Sequence, residues 1–356
     1  MGAQCRPAQA VAERSPMTSI ADVAREAGVS ESTASRALRD MSVISPTTVA
    51  RVQEAARKLN YVAHRGARNL AQRRTNLIVL FASNLISRQT DEFHDGAEEV
   101  CIERGYMLLL QKLDGQQKKK ARYLHMLREQ RVDGVIVVPN FEGVYLQELA
   151  NLKDWDIGVV QIDNRATLSE DYVGCDNRMG ARLVAEHLLA LGHRSLGVIS
   201  SVEPLSCIRE RVDGFQDALK AAGLSPAAVI QSEVATEPME HGRQSTHRMI
   251  DLPNRPTAIF CTGGPTAVGA LRAVRERKLR CPDDIAIAAF DDDLTAPFME
   301  TSLTAVHWPA FEIGRRAAEL LIARIEGSEL PPQEIVLPPH VVYRESTLGR
   351  TSPDPV

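Results

Sequence analysis

From Asn76 onward, short apolar runs alternate with amphipathic segments, and this alternation limits the folds open to the chain more than any other feature. The apolar runs have the length and β-branched composition of buried strands. They cover residues 77–83, 106–112, 134–139, 157–162, 196–200, 257–262 and 285–290. Helical periodicity predicts helices between them, including 92–104, 179–191, 212–222 and 265–277. Strands that alternate with helices form parallel sheets covered by helices on both faces.

The predicted strands are too numerous for one ordinary sheet. Counting less regular segments, the region holds about ten strands, whereas a typical sheet has roughly 4 to 6. We therefore predict an α/β fold with two doubly wound subdomains. A ligand would bind between them, outside the carboxyl ends of the strands.

A short basic region precedes the α/β region. Residues 17–75 contain ten Arg or Lys and five Asp or Glu, whereas residues 76–356 carry a net charge of -10. The net charge of -4 for the whole chain hides this asymmetry. A small cationic module joined to a large acidic body predicts a head that binds a polyanion, attached to a regulatory or catalytic trunk.

Three short helices are predicted in the basic region. The first begins after Ser19, a suitable N-cap, and ends at Gly28, which has the backbone freedom for a sharp turn. The second begins after Ser30, and the third begins at Ser45 and Pro46, a cap followed by a first-turn proline. Together they are enough for a small all-α core.

The second of these helices, over residues 31–39, has one polar face. Ala34, Ala37 and Leu38 are expected to point inward. The residues expected to point outward are Glu31, Ser32, Ser35, Arg36 and Arg39. Such a face fits the major groove of B-DNA, where hydroxyls reach phosphates and an arginine reads guanine. The alternative is an ordinary helical bundle with a solvated charged face.

The same region resembles a known DNA-binding element. TSIADVAREAGVSESTASRAL, residues 18–38, is similar to the helix-turn-helix of the lactose/galactose repressor family, whose usual pattern is D-V-A-x-x-A-G-V-S-x-x-T-V-S-R. LNYVAHRGARNLAQRRTNLIVL, residues 59–80, resembles that family's third-helix end, hinge helix and first core strand. The resemblance implies a transcription regulator. Its helix-turn-helix DNA-binding head would cover 17–63, its hinge 64–75 and its core 76–348.

The resemblance also implies which residues contact DNA. Glu31, Ser32 and Arg36 fall at the base-reading positions of the family. Thr33 and Ser35 fall where the family contacts phosphates. Further DNA contacts are expected at Ser19, Arg39, Tyr61, Ala67 and Asn69.

The hinge predicts a second mode of DNA binding. Arginines flank a segment around Leu70 that is too short to hold a helix alone, so we expect it to order only on binding. In the family, two such segments from a dimer pair in the minor groove and wedge a leucine into the central base step, and Leu70 occupies that position. The alternative is a linker residue packed on the core. Two departures from the family, Ala34 for valine and His64 for asparagine, leave the operator sequence undetermined.

The core resembles that of the same family, which is similar in fold to periplasmic sugar-binding proteins. In that architecture the chain crosses between subdomains three times, here near Cys175, Ser302 and Pro338. The expected N-subdomain comprises about 76–174 and 303–337, and the expected C-subdomain about 175–302 and 338–348. Residues 1–16 and 349–356 are expected to be tails, the first disordered, and Met17 is an alternative start.

Candidate effector-binding residues lie where the predicted strands end. Asp163 and Asp291 follow buried strands, and a carboxylate there can accept two hydrogen bonds from sugar-like hydroxyls. Arg211 falls at the family's effector-arginine position, and Trp308 falls in a crossover where a side chain can stack on a ligand. Further candidates are Ser83, Phe93 and Asn140. The alternatives are a turn cap for Asp291, a helix-end ion pair for Arg211 and core packing for Trp308.

The segment FCTGGPTAVGAL departs from the family, because Gly263 and Gly264 stand where a polar pair such as Asn-Asp is usual. Two interpretations remain open: a pocket reshaped for a larger or more acidic ligand, or a loss of effector control. Cationic side chains predicted near the cleft favour an anionic effector such as a sugar acid. They are Arg88, Arg165, Arg209, Arg211 and His307.

Several other classes of protein are not indicated. No apolar run approaches the roughly 20 residues of a membrane span and the N-terminus has no apolar signal core, so a cytosolic protein is expected. The six cysteines lack the spacing of a zinc site or a disulfide framework. No enzyme motif of the GxxxxGK, HExxH or GxSxG type is present. We expect no cofactor, no metal and no catalytic residue.

These features together predict a sequence-specific transcription regulator, a repressor of carbohydrate or sugar-acid metabolism genes. Its expected partners are palindromic double-stranded operator DNA, a sugar or sugar-acid effector in the cleft and a second copy of the chain, without a membrane. No leucine heptad follows the core, which favours a dimer over a tetramer. The alternatives are a soluble carbohydrate-binding protein with an incidental basic extension, and an enzyme that acts on sugars.

Overall fold

The computed structural model describes ten stretches of the chain. They are residues 18–38, 44–61, 74–82, 87–112, 117–139, 152, 154–167, 169–200, 205–231 and 237–348. The chain forms two compact units, Met1–Thr75 and Asn76–Val356. The predicted tails, most of the predicted hinge and several predicted site residues lie outside the described residues. Those site residues are Arg39, Ala67, Asn69, Leu70, Ser83 and Asn140.

The described part of the first unit contains three helices. They are α1 (Ile20–Ala27), α2 (Glu31–Ala37) and α3 (Pro46–Lys58). Each begins after the serine predicted to cap it, because the side-chain oxygens of Ser19, Ser30 and Ser45 accept hydrogen bonds from backbone N–H groups of the first turn. A serine hydroxyl therefore satisfies one of the free donors at the start of each helix.

The turn between α1 and α2 depends on a glycine. Gly28 has a φ of +63°, the left-handed conformation that a residue with a Cβ adopts only at a cost. Small buried side chains, including Ala27 and Ala34, pack against Val23 and Val52 in the core of this unit. The predicted three-helix head is confirmed, with α2 ending at Ala37 rather than at residue 39.

The second unit contains twelve strands in its described residues. They are β1 (Leu77–Ala82), β2 (Met107–Lys112), β3 (Gly134–Val137), β4 (Gly158–Ile162), β5 (Asp171–Cys175), β6 (Leu196–Ser200), β7 (Ala228–Gln231), β8 (Ala258–Cys261), β9 (Ala286–Phe290), β10 (Thr304–His307), β11 (Glu334–Leu337) and β12 (His340–Val342). Its helices are α4 (Arg88–Glu103), α5 (Gln117–Glu129), α6 (Asn177–Ala190), α7 (Ser206–Ala221), α8 (Pro238–Ile250), α9 (Gly264–Glu276), α10 (Ala310–Ile325) and α11 (Glu345–Leu348). A 3-10 helix covers Ala296–Phe298. Within the described stretches, no helix is both long and apolar enough to span a membrane.

The strands form two six-stranded sheets with the same layout. Their orders are β2-β1-β3-β4-β5-β11 and β7-β6-β8-β9-β10-β12. Every pair is parallel except β10 with β12, which is antiparallel. The predicted α/β fold with two doubly wound subdomains is confirmed. The seven apolar runs all form strands, whereas the antiparallel edge was not predicted.

One predicted crossing between the subdomains is wrong. We expected the chain to leave the C-subdomain near Ser302, which placed 303–307 in the N-subdomain. In the structure β10 pairs with β9 and β12, so the chain crosses only after His307. The apolar segment TAV is needed to extend the second sheet, and a strand cannot change sheets before its ladder ends. The other two crossings follow β5 and β11.

A close helix contact positions one candidate site residue. Helices α6 and α7 pack together at Gly214, where an added Cβ would lie 2.3 Å from the carbonyl oxygen of Arg178. A side chain at this position would force the helices apart. Gly214 thus sets the path of α7, which carries Arg211.

Candidate ligand cleft and candidate DNA-binding surface

Two aspartates occupy equivalent positions in the two sheets. Asp163 follows β4 and Asp291 follows β9, and these strands hold the same place in the strand order. Both residues adopt left-handed backbone conformations, with φ of +63° and +74°. Such conformations are uncommon for residues other than glycine and recur at functional sites. One carboxylate is therefore supplied by each subdomain.

A buried arginine connects the two aspartates. Arg211 is 3% exposed; its Nη1 lies 3.4 Å from Asp291 Oδ1 and its Nη2 lies 4.0 Å from Asp163 Oδ1. Its Nε donates a hydrogen bond to Asn177 Oδ1 at 2.9 Å, and its Nη1 donates one to the carbonyl oxygen of Thr262 at 2.8 Å. A guanidinium held by this many acceptors has one orientation and can hold both carboxylates in place.

One carboxylate oxygen near Arg211 has no hydrogen-bond donor among the described residues. Burial alone would lower the pKa of Arg211, but nearby negative charge, that of Asp291 above all, raises it. Burial raises the pKa of Asp163 to about 6, even though Arg211 acts in the opposite direction. Asp163 Oδ1 is buried and accepts no hydrogen bond from the described residues. A buried acceptor in this state suits a ligand that brings a hydroxyl or amino donor.

Aromatic side chains extend this cluster. Trp308 Nε1 donates a hydrogen bond to Asp291 Oδ1 at 3.1 Å, and the Trp308 ring lies 5.5 Å from the Phe93 ring between centroids. Both aromatic residues are buried. Trp308 therefore holds the Asp291 carboxylate from the protein interior, and Phe93 packs against Trp308. Stacking of Trp308 on a ligand stays a prediction.

The structure brings five of the predicted effector-binding residues into one cluster. They are Asp163, Arg211, Asp291, Trp308 and Phe93. The sequence did not single out Asn177, Thr262 or Phe290, whose ring lies 3.8 Å from the guanidinium of Arg211. Asn177 lies in DNRMGARLVAEHLLALGHR, residues 176–194, and Phe290 begins FDDD, residues 290–293. Both segments resemble the core of the family, which was an available signal. Thr262 acts through its backbone carbonyl, which no side-chain pattern reveals.

Three of the other cations predicted near the cleft, Arg88, Arg165 and His307, do not offer free positive charge. Arg88 pairs with a glutamate one turn further along α4, with 2.7 Å between Arg88 Nε and the carboxylate, and Arg165 pairs with Glu334. Burial lowers the pKa of His307, which keeps its ring neutral at pH 7. Arg209 is exposed on α7. This distribution favours a neutral hydroxylated ligand over an acid.

The first unit presents one polar helix face. On α2, Glu31, Ser32 and Arg36 are exposed, whereas Thr33 and Ser35 are half-buried. Arg36 forms no ion pair with any residue in the described stretches of the chain. The face therefore displays a guanidinium and hydroxyls of the kind that contact base edges and phosphates.

Two further residues predicted to contact DNA have structural roles here. The Ser19 hydroxyl accepts a hydrogen bond from the backbone N–H of Asp22, and the Asp22 carboxylate accepts one from the backbone N–H of Ser19. This capping box holds the start of α1. Tyr61 is half-buried against the core of the unit. Their contacts with DNA stay predictions.

Comparisons with known families match both units. Residues 19–64 match the family described as bacterial regulatory proteins, lacI family. Residues 185–347 match the periplasmic binding protein-like domain. The two matches fall on the three-helix unit and on the part of the second unit that contains Arg211 and Asp291.

Comparisons with individual proteins cover almost the whole chain. The chain is 31% identical over 336 residues to the HTH-type transcriptional regulator DegA of Bacillus subtilis, covering 93% of this chain and 98% of DegA. It is 29% identical over 336 residues to the HTH-type transcriptional repressor PurR of Vibrio cholerae, covering 94% and 99%.

Solved structures share the fold. The lac repressor dimer bound to operator and the anti-inducer ONPF superposes with a TM-score of 0.82 at 24% identity, over 93% of this chain and 99% of that one. A complex of the transcriptional regulator CelR with cellobiose gives a TM-score of 0.70 at 26% identity, over 92% and 99%.

Replacing Asp163 by asparagine should change how stability depends on pH. Below about pH 3 the aspartate is protonated in the folded and the unfolded chain, and the two proteins should be equally stable. As the pH rises from about 4 to 6, Asp163 ionises in the unfolded chain while the native chain still holds the proton, because burial raises the native pKa to about 6. Wild type therefore loses stability across this range and does not regain it at higher pH. At pH 7.5 Asp163→Asn should therefore be more stable, by up to about 3 kcal/mol.

Urea unfolding between pH 4 and 8 measures this difference. The control is Asp154→Asn, which changes an exposed aspartate and should leave the pH dependence as it is. Equal stability of wild type and Asp163→Asn at pH 7.5 would show that burial does not raise the pKa of Asp163 in the native protein.

Proposed function

The chain belongs to the lacI family of bacterial regulatory proteins, and on that premise we propose that it is a transcriptional repressor controlled by a sugar that binds between its core subdomains. Members of this family are transcription regulators and not enzymes. The observation that carries the proposal is the exposed polar face of α2 on a separate basic unit. The protein acts in the cytoplasm, where it reaches the chromosome.

The α2 face reads the operator. Arg36 is the side chain best suited to base recognition, because an exposed guanidinium forms two hydrogen bonds with guanine O6 and N7. Thr33 and Ser35 contact phosphates, and Ser32 contacts base edges or phosphates. Phosphate contacts supply most of the affinity, so binding falls steeply as salt rises. Leu70 and the rest of the hinge, outside the described residues, add minor-groove contacts.

Replacing Arg36 by alanine should weaken specific DNA binding by about 5- to 150-fold, the effect of losing one bidentate base contact. The operator is first selected from a randomised duplex pool with the full chain, and affinity is then measured by fluorescence anisotropy at several salt concentrations. Arg57→Ala is the matched control, because it removes an exposed arginine of α3 that pairs with Glu54.

The proposal predicts different losses of DNA affinity for Arg36→Ala and Arg57→Ala. Arg57→Ala should lower specific and non-specific binding by similar small factors, whereas Arg36→Ala should lower the specific affinity selectively. If both variants bind the operator equally well, or if wild-type affinity does not change with salt, α2 is not the reading element.

The effector is a neutral sugar that donates hydroxyl groups to Asp163 and Asp291. The two carboxylates and the single buried cation give the cluster an excess of acceptors, and Asp163 Oδ1 accepts no hydrogen bond from the described residues. CelR, a structural neighbour at 26% identity, is described in complex with cellobiose, which is a neutral sugar. Gly263 and Gly264 leave room beside Asp291, since a Cβ at Gly263 would lie 3.7 Å from Asp291 Oδ2. This space favours a reshaped pocket over a loss of effector control.

A thermal-shift screen with neutral mono- and disaccharides and the matching sugar acids tests the effector class. A neutral sugar at 100 times its Kd should stabilise the protein by about 2.7 kcal/mol. Asp291→Asn should weaken that sugar at least about 10-fold, since a charge-assisted hydrogen bond is worth roughly 1.5 to 3 kcal/mol. Asp154→Asn should not. Stabilisation by sugar acids alone would refute the neutral-sugar assignment.

The chain forms a homodimer through exposed apolar side chains of both subdomains. In the N-subdomain, Met107 and Leu109 are exposed on the edge strand β2. In the C-subdomain, Leu294 is 62% exposed and Phe298 is 88% exposed, beside α9. Exposed apolar groups of this size mark interaction sites on soluble proteins. A dimer that involves both subdomains responds when their separation changes.

Closure of the cleft around the sugar therefore alters the spacing of the two DNA-binding units in the dimer. A coupling free energy of about 1 to 3 kcal/mol between the two sites gives roughly 5- to 150-fold control of operator affinity. The same coupling acts in reverse, so operator DNA changes the affinity for the sugar by the same factor.

Replacing Phe298 by glutamate should shift the protein from dimer to monomer, because a charge would have to be buried at the interface. Sedimentation velocity at micromolar concentration measures the change. Leu330→Glu is the control, since Leu330 is 61% exposed but lies after α10, away from both groups. A Phe298→Glu protein that remains dimeric would place the interface elsewhere.

A further inference from the structure

Helix α7 lacks a capping residue of its own. Its N-cap position is Leu205, whose side chain makes no capping hydrogen bond. The first backbone N–H groups of a helix have no partner within the helix and need one from outside. This helix carries Arg211, so the order of its first turn bears directly on the candidate ligand cleft.

The missing cap comes from the other subdomain. Asn164, which follows β4 in the N-subdomain, accepts a hydrogen bond through Oδ1 from the backbone N–H of Cys207 on α7. The donor–acceptor distance is 3.4 Å, long for such a bond. A second bond beside it, from the backbone N–H of Arg165 to the Oγ of Ser206, is 2.8 Å long. Asn164 is 4% exposed, so these contacts are shielded from water.

The same asparagine contacts the ligand cluster. Its Nδ2 donates a hydrogen bond to Asp163 Oδ2 at 3.3 Å. One helical turn after Cys207, Arg211 lies against Asp163 Oδ1. Asp163, Asn164, Cys207 and Arg211 thus form a closed ring of contacts that spans both subdomains.

We propose that Asn164 is a positioning residue that caps α7 only while the cleft is closed. When the subdomains separate, the cap is lost, and Leu205 at the N-cap position cannot replace it because its side chain accepts no hydrogen bond. Closure therefore orders the helix that carries Arg211. The inference deepens the proposed function, since it rests on a cleft that closes around a ligand.

An N-cap contact changes the relevant equilibrium by about 2- to 30-fold. That factor favours the closed form over the open form before any ligand binds. A ligand that selects the closed form gains up to the same factor in affinity, and the full factor when the closed form is the minor population. Asn164 thus couples Asp163, which contacts the ligand, to the relative position of the subdomains.

Hydrogen exchange of the full chain, without DNA or sugar, tests the proposal. Two amides are followed separately. Exchange of the Cys207 N–H measures loss of the cap from Asn164, and exchange of the Arg165 N–H, which donates to Ser206 Oγ of the other subdomain, measures opening of the cleft. Asn164→Ala should speed exchange of both amides by about 2- to 30-fold. Exchange of both amides within twofold of wild type in Asn164→Ala would overturn the proposal.

A variant in which α7 supplies its own cap distinguishes a role of Asn164 in closure of the cleft from a role in helix stability alone. In Asn164→Ala/Leu205→Ser, the new serine caps the helix in either form, so the Cys207 amide should be protected again while the Arg165 amide stays fast. Leu205→Ser alone should also speed Arg165 exchange, because closure no longer gains a cap. If Asn164→Ala fails to fold, this single variant decides, and unchanged Arg165 exchange overturns the proposal.

Glu237→Ala is the matched control. Glu237 caps α8 in the ordinary way, from within its own segment, through the backbone N–H of Glu240 at 2.9 Å. Its loss should speed exchange at the start of α8 and leave Arg165 unchanged. Because none of these measurements uses DNA or sugar, they can fail while the proposed repressor function stands, and the reverse also holds.

Discussion

The contact between Arg211 and the two aspartates is the interaction on which the core depends. A buried guanidinium is tolerated only when acceptors surround it, and here they come from Asp163 in one subdomain and Asp291 in the other. Removing the Asp291 carboxylate, whose Oδ1 lies 3.4 Å from Arg211 Nη1, would leave a buried charge poorly matched. The need to neutralise Arg211 therefore draws the two subdomains together around the site.

This arrangement also explains why the cleft suits a ligand. The two carboxylates supply more acceptors than Arg211 and Trp308 supply donors, and burial raises the pKa of Asp163 to about 6. In the free protein, the buried carboxylate of Asp163 therefore raises the free energy of the native state. A ligand that donates a hydroxyl group to Asp163 can lower that free energy. In the mechanism we propose, Asn164 connects ligand binding at Asp163 to the order of α7 through its hydrogen bonds to Asp163 and to the backbone of Cys207.

Particular residues show how far the sequence could be interpreted. The serine caps, the turn at Gly28 and the polar face of α2 were predicted correctly, because capping and helical periodicity are local properties. Asp163 and Asp291 were predicted to face the cleft because each follows a strand at the carboxyl edge of its sheet, whereas Arg211 was assigned from the family resemblance. The crossing near Ser302 was wrong, since nothing local shows to which sheet the segment before His307 belongs. The cation count suggested an acid as ligand, and only the ion pairs of Arg88 and Arg165 showed that those charges are already matched.

By itself, the sequence determined the fold class, the three-helix unit, its polar face and the family, since these follow from periodicity, capping residues and an extended motif along the chain. Tertiary structure alone decided which charges pair, which carboxyl oxygen is left as an open acceptor and which residue caps α7. The reason is physical: pairing, desolvation and capping by Asn164 depend on distances between segments far apart in the chain, and a linear pattern of residue types does not contain those distances.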